Sequence, residues 1–137
     1  MSQAPENALE IDIELRWSDQ DLMGHVNNAR IMTLVEEARI RAMEQLRQKA
    51  GTDEPFGAVL RTANTDFLLP IEYPGEAVVR VWISRIGNTS FVMQHELSQN
   101  GQVAATVEAT VVKFSVEQQK PEPIMDEVRT ALESIAA

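Results

Sequence analysis

The hydrophobic period of this chain lengthens over one stretch and then reverts, and that change restricts the folds open to it. Residues 9–17, LEIDIELRW, alternate without fault: Leu9, Ile11, Ile13, Leu15 and Trp17 point one way, and Glu10, Asp12, Glu14 and Arg16 the other. A period of two predicts a half-buried strand. From about Asn28 to Ala50, Ile31, Leu34, Val35, Ala38, Ala42 and Leu46 recur at three- and four-residue spacing, and Lys49 and Gly51 supply stop signals. That spacing predicts one long amphipathic helix. Alternation then returns in AVLRTANTDFLL, EAVVRVWISRI, TSFVMQHELSQ and QVAATVEATVVKFSV, separated by PIEYPG, GN and NG, after a turn-rich GTDEPFG. Asn100-Gly101 predicts a tight hairpin between the last two strands. Beyond Pro121 and Pro123, residues 125–135 predict a short amphipathic helix.

A single long helix buries the apolar face of an antiparallel sheet only if the sheet curves around it. The expected class is therefore α+β: a curved antiparallel sheet of about five strands wrapped around one central helix, with a short C-terminal helix. Residues 1–137 read as a single domain, because no internal repeat or linker-like stretch divides them. The edges of such a sheet invite a second subunit.

Charge and composition exclude several functions. Twenty-one acidic residues against 12 basic ones give a net charge of −9, which argues against binding nucleic acid or an anionic membrane surface. Without cysteine there is no disulfide, no thiolate nucleophile and no cysteine metal site. The two histidines lie in separate elements with no metal-ligand spacing. No run approaches the ~20 apolar residues of a membrane helix, and MSQAPENALE does not resemble a secretory signal, so a cytoplasmic protein is expected.

Between the first strand and the long helix lies DQDLMGHVNNAR, residues 19–30. A purely structural reading accounts for every residue: Asp19 and Asp21 as turn formers, Gly24 in a left-handed conformation, and Asn27 or Asn28 as helix cap. The helix start nonetheless differs from an ordinary one. Its first turn, ARIM, carries Arg30 and no acid, and no Glu or Gln follows either asparagine at capping-box spacing. Unpaired amides at a helix start attract negative charge. A carboxylate beside such an oxyanion site is a minimal arrangement for acyl transfer.

The string D-x-D-x-x-G-H-V-N-N, followed by E-x-A-R (Glu36, Ala38, Arg39), resembles the 4-hydroxybenzoyl-CoA thioesterase-like branch of the hotdog-fold acyl-CoA thioesterases. FLLPIEYPGEAVVRV and RIGNTSFVMQHEL are similar to later strand connections of that family, so the resemblance spans roughly residues 9–116. It implies the hotdog fold and hydrolysis of an acyl-CoA thioester. Asp21 would be the catalytic carboxylate, either attacking the carbonyl or activating water. The backbone N–H of Asn28, seven residues on, would be the oxyanion donor. Gly24, His25 and Asn27 match the string and are assigned positioning roles, with Asp19 left as a turn or cap contact. No cofactor is implied beyond the coenzyme A of the substrate. A homodimer is implied, and dimers of this fold can pair into homotetramers.

Glu36 and Arg39, three apart on the helix, are expected to pair and support the loop, with a lesser role for Glu36 at the substrate. His95 alternates with Phe91, Met93 and Leu97 and reads as a satisfied core-edge histidine. Met23 and Met32 flank the loop and are the residues to probe for acyl-chain length, although core filling explains most methionines. Some relatives carry several cations in the turn before the fourth strand; here Arg85 stands alone, leaving Arg85, Arg61 and Arg80 as candidates for CoA phosphates. An acyl carrier protein is the less favoured thioester donor, because two acidic surfaces repel. The alternatives are an enoyl-thioester hydratase or dehydratase using Asp21 and His25, and a non-catalytic acyl-CoA-binding module.

Overall fold

The computed structural model describes residues 2–53 and 57–137. The turn expected over GTDEPFG includes residues 54–56, which lie outside the described residues. The element order is β1 (Leu9–Glu14), α1 (Asn28–Ala50), β2 (Ala58–Phe67), β3 (Glu76–Ile86), β4 (Ser90–Gln99), β5 (Gln102–Ser115), β6 (Lys120–Pro121) and α2 (Asp126–Glu133). The sheet runs β1-β3-β4-β5-β2, with the two-residue β6 on β5, and every pairing is antiparallel. This is the expected α+β architecture, a curved sheet around one long helix, and α2 packs alongside α1.

Alternation places Phe91, Met93, His95 and Leu97 of β4 beside Val79, Val81 and Ile83 of β3, all buried. Against them lies the α1 stripe Ile31, Leu34, Val35, Ala38, Ala42 and Leu46. Burying a side chain such as Phe91 or Leu97 contributes about 1.5–3 kcal/mol, and the fully buried Ala38 and Ala42 leave room for the helix to approach the sheet. Asn100 and Gly101 both have positive φ, 53° and 77°, as a two-residue hairpin turn of that hand requires.

The first strand is shorter than its alternation predicts. It ends at Glu14; Leu15 is still buried, but Trp17 begins a 3-10 turn (Trp17–Asp19) and is 75% exposed. The buried Asp19 forces the change. Its carboxylate accepts from the Arg16 N–H at 2.9 Å and from the Arg16 guanidinium at 2.9 Å, curling the chain out of the sheet.

The two ends of the chain meet at β3. Ile83 donates to the Ile135 carbonyl and accepts from Ala137, and the Asn7 side chain donates to Ser134 and Ala136. The sheet's edges are β1 and β2; among the described residues β2 has no strand on its outer side, and Val59, Leu60, Phe67, Leu68 and Leu69 are exposed on it or just beyond it.

Candidate active site

The segment after the 3-10 turn folds back on itself. Gln20 and Val26 form an antiparallel bridge, the Asp21 N–H donates to the His25 carbonyl at 2.8 Å, and Gly24 donates to the Asp21 carbonyl at 3.1 Å. The Asp21 carboxylate accepts from the Met23 N–H at 2.8 Å and, more weakly, from the His25 N–H at 3.4 Å. Asp21 itself is exposed. Gly24 has φ +79°, the left-handed conformation the tip needs. The contact of Asp21 with His25 runs through backbone, and no hydrogen bond joins the imidazole to the carboxylate.

The base of this hairpin is anchored twice. Asn27 N–H donates to the Asp19 carbonyl at 2.9 Å, and Val26 N–H donates to the Ile71 carbonyl at 2.7 Å, beside a bridge between His25 and Glu72. Burial would push the Asp19 carboxyl up, but its hydrogen bonds to Arg16 and the positive charges of Arg16 and Arg30 hold it below the usual carboxylate range. Asp19 is thus the contact-making aspartate of the pair, and Asp21 the one whose carboxylate faces solvent.

Asn27 caps α1: its side chain accepts from Ala29 N–H at 2.8 Å. Its carbonyl takes the Ile31 N–H. Among the described residues, the amides of Asn28 and Arg30 have no protein partner, and the first turn contains no acid. A helix start with two open amides, a positive dipole end and a cation is electrostatically prepared for a developing oxyanion. The loop places the Asp21 carboxylate seven residues before the open Asn28 amide, on a hairpin whose returning arm leads into the helix.

Glu36 does not pair with Arg39. It lies exposed on α1, whereas Arg39 turns inward, only 5% exposed, and its Nε donates to Nε2 of His95 at 3.3 Å. The reason is position: Arg39 shares the buried stripe with Ala38 and Ala42, while Glu36 lies outside it. The His95 Nδ1 lies 3.0 Å from the Val107 carbonyl, so the ring is a neutral imidazole that donates from Nδ1 and accepts at Nε2. Burial, aided by the Arg39 charge, lowers its pKa to about 4. His95 is a satisfied core residue, as its alternation predicts.

The family model of the thioesterase-like superfamily matches residues 15–132. The chain belongs to the thioesterase-like superfamily. Among solved structures, this superfamily member is similar to a predicted thioesterase from Bacillus stearothermophilus at 28% identity, with a TM-score of 0.85 and coverage of 95% and 97% of the two chains. A thioesterase from Thermus thermophilus, complexed with coenzyme A and Zn, is also 28% identical, with a TM-score of 0.81 over 94% and 93%. A 1,4-dihydroxy-2-naphthoyl-CoA thioesterase from Synechocystis shares the fold at 20% identity, with a TM-score of 0.77 over 91% and 95%. A comparison with curated proteins finds no match. Thioester hydrolysis is the activity this membership carries.

In this thioesterase-like chain the remaining sequence-derived candidates scatter. Met23 is exposed at the hairpin tip beside the fully exposed Leu22, while Met32 is half-buried and its sulfur accepts from the Thr65 hydroxyl of β2. Arg80 is occupied on the sheet surface, its Nε donating to Glu10 at 3.0 Å and an Nη to the Ser2 hydroxyl. Arg61, at a bulge of β2, and Arg85, near the end of β3, are exposed without an ion pair among the described residues. A cavity of about 690 Å³ lies between β1 and the turn before β3 and is lined by Asp12, Arg41, Tyr73 and Glu76 among others; it includes neither Asp21 nor Asn28. The described residues hold no cluster of three or more His, Cys, Asp or Glu placed for a metal. Among the described residues, no helix is long and apolar enough to cross a membrane. Two features carried no sequence signal: the docking of the loop onto Ile71 and Glu72, and the clamp on Glu72 by Gln99, both formed by residues distant in the chain.

Proposed function

We propose that this superfamily member hydrolyses acyl-CoA thioesters at the mouth of α1, with Asp21 as the catalytic carboxylate and the Asn28 N–H as the oxyanion donor. The observation that carries this reading is the open Asn28 amide, on an acid-free first turn, reached directly from the hairpin that bears Asp21. The thioester oxygen accepts from the amide. Asp21 either takes a proton from a water that attacks the carbonyl carbon, or attacks that carbon itself, in which case water then cleaves the acyl–aspartyl anhydride to release the acid and restore the carboxylate. The carbon–sulfur bond breaks, and the thiolate leaves as coenzyme A. An oxyanion donor of this kind is worth about 2.7–4 kcal/mol in the transition state.

Coenzyme A is the carrier this reading favours over an acidic carrier protein. The chain itself is acidic, and a 28% identical relative was solved with coenzyme A bound. Of the three candidates for its phosphates, Arg61 and Arg85 have no ion pair among the described residues, and Arg80, already paired with Glu10, is the weakest. The working unit is a homodimer joined along β2, where the bare strand edge and its exposed apolar side chains meet a second copy; a tetramer would be two such dimers. Met23 and Met32 would then border the acyl group.

The test is steady-state hydrolysis of a panel of acyl-CoAs, following thiol release. Asp21→Asn is expected to lower kcat by at least about 100-fold on the best substrate. Equal kcat in the two proteins would remove Asp21 from the reaction.

A further inference from the structure

We propose that Gln99, at the end of β4, is a positioning residue for the Asp21 hairpin, acting through the backbone of Glu72. The inference rests on reading residues 19–28 as the active site. Gln99 Oε1 accepts from the Glu72 N–H at 3.0 Å, and its Nε2 donates to the Glu72 carbonyl at 2.8 Å. One side-chain amide thereby pairs with both polar groups of one residue, as a neighbouring strand would. A neutral carboxamide accepts and donates in this way, whereas an ionised carboxylate cannot donate and an ammonium cannot accept. Glu72 passes the constraint on. It bridges His25, and the preceding Ile71 carbonyl takes the Val26 N–H at 2.7 Å. His25 in turn holds the Asp21 N–H at 2.8 Å. The route from Gln99 to Asp21 therefore runs through the side-chain clamp on Glu72 and then two backbone contacts, the 71–72/25–26 bridge and the His25–Asp21 bond.

Gly75 shows how closely the carboxamide is fitted. A Cβ at residue 75 would lie 2.7 Å from Gln99 Nε2 and 3.3 Å from the Glu72 carbonyl oxygen, so any other residue there would displace the clamp. The partners are 27 residues apart in sequence, which makes the contact a tertiary tie between the sheet and the β2–β3 connection. That connection is the wall against which the hairpin docks. If it shifts, the carboxylate shifts relative to the helix mouth, and misplacement of a catalytic group by about 1 Å can cost on the order of 100-fold in rate.

The experiment uses the full chain with Gln99→Ala, Gln99→Glu and, as a separate arm, Asp21→Asn. It measures acyl-CoA hydrolysis from pH 5 to 8 and amide hydrogen exchange over residues 20–27 and 71–76. Gln99→Ala is expected to lower kcat about tenfold with KM within about twofold, and to speed exchange at Asp21 and Val26. Gln99→Glu should be impaired at pH 8 and its kcat, relative to wild type, should rise toward pH 5 as the introduced carboxyl gains a proton and can again donate to Glu72. The titratable groups of the facing turn, Glu72, Tyr73 and Glu76, are common to both proteins, so the ratio isolates the new group. Wild-type kcat and exchange in Gln99→Ala would overturn the proposal. So would a lower kcat with unchanged exchange at residues 20–27, or, should Gln99→Ala fail to fold, a pH-independent Gln99→Glu ratio. Full activity in Asp21→Asn would instead refute the site assignment, while the exchange data would still decide whether Gln99 holds the hairpin.

Discussion

Asp19 and Asp21 are two residues apart and carry the same side chain in opposite surroundings. Asp19 is fully buried and satisfied by Arg16, and its carbonyl fixes Asn27 at the helix cap. Asp21 is exposed and its carboxylate is held only by amides of its own hairpin. Asp19→Ala should therefore lower stability by about 1–3 kcal/mol, because the Arg16 N–H loses its acceptor; thermal melting reads this directly. Gly24→Ala meets no neighbouring atom, so its cost is the left-handed backbone alone, about 1–2 kcal/mol. That cost falls on the hairpin, and the expected result is a lower melting temperature together with a reduced kcat. The D-x-D spacing made two carboxylates visible in the sequence and, with the family resemblance, favoured the second. Which one is buried depends on where β1 leaves the sheet, and that is decided by Arg16 and Asp19 together rather than by the alternation that carried the strand to Trp17.

The elements were legible wherever a period was sustained. The long helix, strands β3, β4 and β5, and the Asn-Gly hairpin fall within a residue of their expected bounds, because each has an uninterrupted pattern and a clear stop signal, whereas β2 ends at Phe67, two residues short of its expected run. Arg39 was misread because helix spacing alone offers Glu36 as a partner, whereas packing against β4 offers His95. The Arg39–His95 contact ties α1 to the middle of the sheet and makes that junction sensitive to acid. The native imidazole has a pKa of about 4 against an ordinary 6.5, so the unfolded chain binds a proton that the folded one refuses between those values. This contribution to stability is complete above pH 6.5 and is lost as pH falls toward 4, by about 3 kcal/mol in all. Urea midpoints measured from pH 7.5 to 4.5 should fall less steeply in His95→Gln than in wild type; parallel slopes would show that another group governs the loss.

At the scale of the whole molecule the two sides of the sheet are unequal. Beyond the end of β1 the C-terminal residues Ile135 and Ala137 pair with Ile83 of β3, whereas among the described residues β2 is an edge strand with exposed Val59, Leu60 and Phe67. Two copies joined along β2 would bury that apolar strip. Light scattering is expected to give twice the 15.3 kDa chain mass, and Leu60→Asp together with Phe67→Asp should return it to the monomer value. Electrostatics adds a check on the carrier. Against a mean charge of −9, only local cations can hold phosphates, so Arg61→Glu and Arg85→Glu should each raise KM for acyl-CoA several-fold while leaving kcat nearly unchanged. The junction of His95 with Val107 has one further use. Its ring proton is trapped where helix and sheet close on each other, so deuterium reaches it only when those layers part. That single imidazole resonance would serve as an internal clock for global opening.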